Sequence, residues 1–142
     1  MRHLFDQYSQ PENRLTHALV SCLAHDRELL RRFIEWVTGV RFPRKQRIHI
    51  TEQSLPGQEG SEVTEEDAEK KGLPDAWIHT EQSWALLVES KIAASQSRDQ
   101  LERHLSVARR RGFTDIHLLL LTVDASLDSG LEVVTRKSWR DI

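Results

Sequence analysis

The chain has 142 residues and a formal net charge of −2 at pH 7, the profile of one soluble domain long enough to bury a substantial core. Its single cysteine, Cys22, excludes an internal disulfide and a cysteine-cluster zinc site, and points to a reducing compartment, the cytoplasm. No apolar run approaches the ~20 residues that span a bilayer, and Arg14, His17 and His25 interrupt the first apolar segment, so neither a membrane span nor a secretory leader is expected.

Pro11 suits the first turn of a helix, and Leu15, Ala18, Leu19, Cys22 and Leu23 recur at helical spacing. The pattern continues through Leu29, Leu30, Phe33, Ile34 and Val37 to Gly39, with Asp26 placed to start a second helix. Cys22 lies on the apolar stripe and is expected to be a small buried hydrophobe rather than a nucleophile. Glu12 stands three residues before Leu15 and extends that stripe, so it can face a sheet; the helix dipole also favours a glutamate in this first turn. Arg47 to Ser54 alternates as a strand. Between Glu52 and Glu69 there are seven acids and no Lys or Arg, and residues 56–71 are expected to form an acidic, solvated, mobile loop.

The stretch from Gly72 to Ile92, GLPDAWIHTEQSWALLVESKI, carries the most chemistry. Alternation places Asp75, Trp77 and His79 on one face of a first strand, and Ala85, Leu87, Glu89 and Lys91 on one face of a second. With Glu81, Gln82 and Ser83 as the loop, Thr80 lies opposite Trp84 and Asp75 opposite Glu89; a two-residue loop would set Asp75 against Val88 instead. Directly opposed carboxylates, with Cβ atoms about 5 Å apart, repel one another, and a divalent cation would resolve that conflict. His79 shares the face of Asp75 but falls about 6–7 Å further along the strand, which makes it a weak candidate for substrate contact.

Ser97-x-x-Gln100 is a capping-box pattern before Leu101, Leu105 and Ala108, a helix expected to run to about Arg111 and stop at Gly112. From Lys91 to Arg111 six cations face two acids, a local excess of four, and Arg98, Arg103, Arg109, Arg110 and Arg111 are candidate phosphate contacts. Cations at a helix C-terminus equally complement its dipole. His117 to Val123, HLLLLTV, has the continuous apolar character of an interior strand, and Leu131 to Thr135 is a further short strand. Ser138 is expected as an N-cap, with Trp139 and Ile142 beginning a helical stripe, so the domain is expected to lack its C-terminal helical end. A further C-terminal region, a partner protein or a homodimer would complete it. The other histidines lie on separate elements without metal-ligand spacing, and there is no glycine-rich phosphate loop and no G-x-S-x-G elbow.

At Pro74-Asp75 and Glu89-Ser90-Lys91 the chain resembles the PD-(D/E)XK nuclease superfamily. The resemblance implies an α/β restriction-endonuclease-like core, with a mixed central sheet flanked by helices in the order α-β-β-β-α-β. It implies Mg²⁺ or Mn²⁺ held by Asp75, Glu89 and the Ser90 carbonyl, with Glu12 completing the site from the first helix, and Lys91 as the catalytic base or water-positioning group. In a RecB-like branch a Gln follows on the next helix, which Gln100 matches; that branch often has Tyr four residues later, where this chain has His104. The expected activity is metal-dependent hydrolysis of phosphodiester bonds in DNA. Two alternatives stand beside it: a nuclease acting on RNA, and a nuclease-fold assembly module with little or no turnover.

Overall fold

The computed structural model describes residues 11–52, 73–81, 83–91, 98–123 and 133–142, with Pro11 and Glu12 described by their backbone alone. Helices α1 (Pro11–His25) and α2 (Arg27–Thr38) come first, followed by strands β1 (His49–Glu52), β2 (Ala76–His79) and β3 (Trp84–Lys91). Helix α3 (Arg98–Arg110) and strands β4 (Asp115–Thr122) and β5 (Val134–Ser138) complete the described elements. The acidic stretch 56–71 and Ser97 lie outside the described residues.

The break between α1 and α2 falls where the sequence places it. Asp26 is extended, and its Oδ1 accepts the backbone N–H groups of Glu28 and Leu29 at 2.9 and 3.0 Å, satisfying donors that the first turn of α2 leaves open. Helix α2 ends at Gly39 and α3 gives way at Gly112, with φ of 75° and 93°, a left-handed backbone that glycine adopts without Cβ strain.

The five strands form one sheet in the order β1-β2-β3-β4-β5. Strands β1, β2 and β3 make an antiparallel meander, while β3, β4 and β5 run parallel. The architecture is therefore α/β, a mixed sheet flanked by three helices. Strands β3 and β4 are central, and the runs WALLV and LLLL are buried throughout, as interior parallel strands covered on both faces should be. One face, with Ala76, Ile78, Leu86, Val88, Leu119 and Leu121, packs against α1 and α2 through Val20, Leu23, Leu30, Phe33, Ile34 and Val37. The other face, with Trp77, Ala85, Leu87, Leu118 and Leu120, packs against Leu101, Leu105 and Ala108 of α3.

Two expectations are corrected. Cys22 is exposed, because the apolar residues of α1 and α2 cover a wider arc than the sheet can bury. Leu15, Leu29 and Trp36 are also exposed, and with Cys22 and Ile142 they line an apolar groove of about 510 Å³ on the outer side of the helices. The last strand runs from Val134 to Ser138, so Ser138 ends a strand instead of starting a helix, while Leu131 and Glu132 of the expected strand lie outside the described residues. The parallel ladder with β4 extends through Thr122↔Ser138, and this long-range pairing outweighs the local capping signal. The Ser138 hydroxyl donates to the Val123 carbonyl at 3.1 Å and accepts from the Arg140 N–H at 3.2 Å, which closes a turn.

Candidate functional site

The hairpin between β2 and β3 has the anticipated register. Ala76 pairs with Val88 and His79 with Ala85, and the Thr80 N–H donates to the Trp84 carbonyl at 3.1 Å, leaving 81–83 as the loop. Continued by one residue, the register sets Asp75 across from Glu89. Strand β2 itself starts at Ala76, so Asp75 stands just before the ladder, with its carboxylate turned to β3: Oδ2 accepts the Ser90 N–H at 2.8 Å. Within an extended strand the N–H and C=O of one residue face the same neighbour, so the Ser90 carbonyl lies on the flank that Asp75 occupies.

Glu89 is the most enclosed member of the group. It sits on the α3 face of β3, 3% exposed, beneath two side chains one turn apart on α3. Gln100 Nε2 donates to Oε1 at 3.1 Å, and His104 Nε2 donates to Oε2 at 3.1 Å. The Lys91 ammonium lies 3.7 Å from Oε1, and its side chain is about a quarter exposed. A carboxylate has about four lone-pair positions, so two hydrogen bonds and an ion pair leave capacity for a further ligand. Asp75, Glu89, Ser90, Lys91 and Gln100 are thus gathered at one end of the sheet.

Glu12 lies in the first turn of α1, and its side chain falls outside the described residues. The helix that carries it is tied to the same region of the sheet: His17 Nδ1 reaches both oxygens of Glu52 at 3.0 and 2.9 Å, and Glu52 is the register partner of Ala76, next to Asp75. Glu12 precedes His17 by five positions, about 7.5 Å along the helix axis.

The basic residues of α3 are exposed and spread along its length. Arg98 and Arg103 are exposed near the start of α3, where Arg98 pairs with Glu102 at 2.9 Å. Arg109, Arg110 and Arg111 are exposed at the far end, about 15 Å along the axis from Gln100. His79 is packed rather than presented to a substrate; its ring stacks on His49 and meets Phe113 edge-on.

His104 is the site residue that sequence reasoning undervalued. It occupies the position where the resembled branch often has Tyr, and it belongs to the buried stripe Leu101, His104, Leu105 and Ala108. The available signal was its spacing of four from Gln100, which puts both side chains over one point of the sheet.

Among the described residues no group of three or more His, Cys, Asp or Glu side chains has the arrangement of a metal site, and no helix is long and apolar enough to cross a membrane. No family model, no curated protein and no solved structure matches the chain.

Proposed function

We propose that the protein is a divalent-metal-dependent phosphodiesterase that hydrolyses DNA, built on a restriction-endonuclease-like core. The observation that supports this reading is the meeting of Asp75, Glu89 and Lys91 at one end of the sheet, with the two carboxylates in opposed positions. Their hard oxygens and the Ser90 carbonyl suit Mg²⁺ or Mn²⁺, and Glu12 would hold that cation, or a second one, through water. When bound, the cation would stabilise charge on phosphate oxygens and lower the pKa of a water. Lys91 positions the attacking water and offsets the charge that develops on the scissile phosphate. Gln100 and His104 fix the Glu89 carboxylate in place, and the cations of α3 contact the DNA backbone.

The test is cleavage of linear, circular and single-stranded DNA, and of RNA, with Mg²⁺, Mn²⁺ or chelator. Metal-dependent cutting of DNA that Lys91→Ala removes is the expected result, and cutting of RNA alone would reassign the substrate. A second reading has its own observation. Both oxygens of Glu89 already accept hydrogen bonds, so its burial is satisfied without a cation. Absence of cleavage under every condition would favour a nuclease-fold assembly module, completed by a partner protein or a second copy.

A further inference from the structure

A second concentration of positive charge lies away from the carboxylates. Between the start of α2 and the segment leading into β1, a pocket of about 490 Å³ is lined by the side chains of Arg27, Arg31, Arg44, Lys45 and Arg47. No acid lines it. The nearest acidic side chains on α2 are engaged elsewhere: Asp26 caps the helix, Glu28 pairs with Arg32 and Glu35 pairs with Arg41. Among the described residues Glu81 approaches the neighbouring strand, 3.5 Å from His49. Among the described residues, no side chain neutralises Arg27, Arg44, Lys45 or Arg47.

The walls are held rigidly. The Gln46 N–H donates to the Pro43 carbonyl at 2.9 Å, closing a turn whose two central residues are Arg44 and Lys45. Arg31 clamps that turn to α2, donating through Nη2 to the Arg44 carbonyl at 2.7 Å and through Nη1 to the Arg27 carbonyl at 3.1 Å. Its partners among the described residues are neutral carbonyls. Its Nε is buried with no acceptor. Cations gathered along one pocket raise the local positive potential and favour an anion there.

We infer that this pocket is a binding site for phosphate groups. Arginine predominates in its lining, and the planar guanidinium matches phosphate oxygens in a bidentate fashion that ammonium does not. Arg44, Lys45 and Arg47, spread over a turn and the approach to a strand, suit several phosphates in a row, as along a polynucleotide backbone, better than one isolated ion. The site is distinct from the carboxylates. His49 is in register with His79, and His79 with Ala85, four residues before Glu89 on β3, or about 13 Å along the strand. The pocket also lies on the α2 side of the sheet, whereas Glu89 faces α3. The inference therefore stands whether or not Asp75, Glu89 and Lys91 catalyse anything.

Arg44, Lys45 and Arg47 are exposed, so Arg44→Ala/Lys45→Ala/Arg47→Ala should fold normally, which circular dichroism checks; Arg31 is left intact because it holds the turn. Binding of a fluorescently labelled duplex of about 20 base pairs is followed in chelator over a range of salt concentrations, beside the effect of pyrophosphate on the melting temperature. The expected result is at least a tenfold loss of duplex affinity in the folded triple variant, with the slope of log K against log salt reduced by about 2–3. Equal duplex affinity in both proteins, with pyrophosphate stabilising wild type and not the variant, would support the phosphate site and identify a small phosphorylated molecule as its source. Unchanged duplex binding together with no pyrophosphate effect in wild type overturns the inference.

Discussion

His104 and Glu89 meet in the interior between α3 and β3, with Nε2 and Oε2 3.1 Å apart and both side chains almost wholly removed from solvent. A buried carboxylate oxygen without a donor is strongly unfavourable, so this contact is a condition of keeping Glu89 inside the fold. His104→Ala should destabilise the protein by about 3 kcal/mol, the scale of breaking a buried pair by removing one partner. His104→Gln, which can still present an N–H, should recover part of that loss. Urea denaturation of both variants measures the difference, and an alanine variant as stable as wild type would show that the contact contributes little.

Lys91 differs from its neighbours in being partly open to solvent, and its 3.7 Å separation from Glu89 is an ion pair rather than a close hydrogen bond. Its removal should cost less than that of His104, because Gln100 and His104 still donate to both oxygens of Glu89. Turnover should suffer far more. Loss of a group that stabilises transition-state charge lowers kcat by about 100-fold or more. Lys91→Ala with unchanged thermal stability and DNA cleavage at the wild-type rate would remove lysine from the chemistry.

The parts of the fold that were readable in advance share a cause: each is fixed by signals close together in the chain. A three-residue loop sets the β2–β3 register by counting, so Thr80 against Trp84 determines Asp75 against Glu89. Asp26 and Gly112 mark helix boundaries through their own backbone preferences. What escaped depends on distant segments meeting. The extent of β5 is set by the ladder that β4 offers, and the exposure of Cys22 by how much of two helices one sheet can cover. The charges of Arg44, Lys45 and Arg47 drew no reading from the sequence, because the pocket they line depends on Arg31 of α2 clamping the turn at Arg44. The role of His104 needed two facts at once, its spacing from Gln100 and the direction of Glu89.

Exposure of Cys22 has a direct chemical test. It lies beside Leu15, Ala18 and Leu19 along the apolar groove rather than in the core. A thiol open to solvent reacts with an aromatic disulfide at a rate governed by its thiolate fraction, whereas a core thiol waits for unfolding. The native protein should therefore titrate one thiol per chain, at a rate within about tenfold of that in denaturant. A thiol that stays silent until the chain unfolds would place Cys22 inside.

Asp75 and Glu89 allow the metal to be tested without reference to turnover. Their opposed positions disfavour two negative charges unless a cation lies between them, so binding should be selective for the native state and should stabilise it. At a free Mg²⁺ or Mn²⁺ concentration a hundred times Kd the gain is about 2.7 kcal/mol, and at about 3 °C per kcal/mol for a domain of this size the melting temperature should rise by several degrees. Asp75→Asn is the informative variant. Its amide oxygen can still accept the Ser90 N–H, so the entry to β2 is preserved while one of the two facing charges is removed. Metal-free Asp75→Asn should thus be at least as stable as wild type, yet gain nothing from either cation. Calorimetry with and without metal separates the outcomes: equal cation-induced shifts in both proteins would place the metal elsewhere, and no shift in wild type at millimolar cation would leave the carboxylate pair without its proposed ligand.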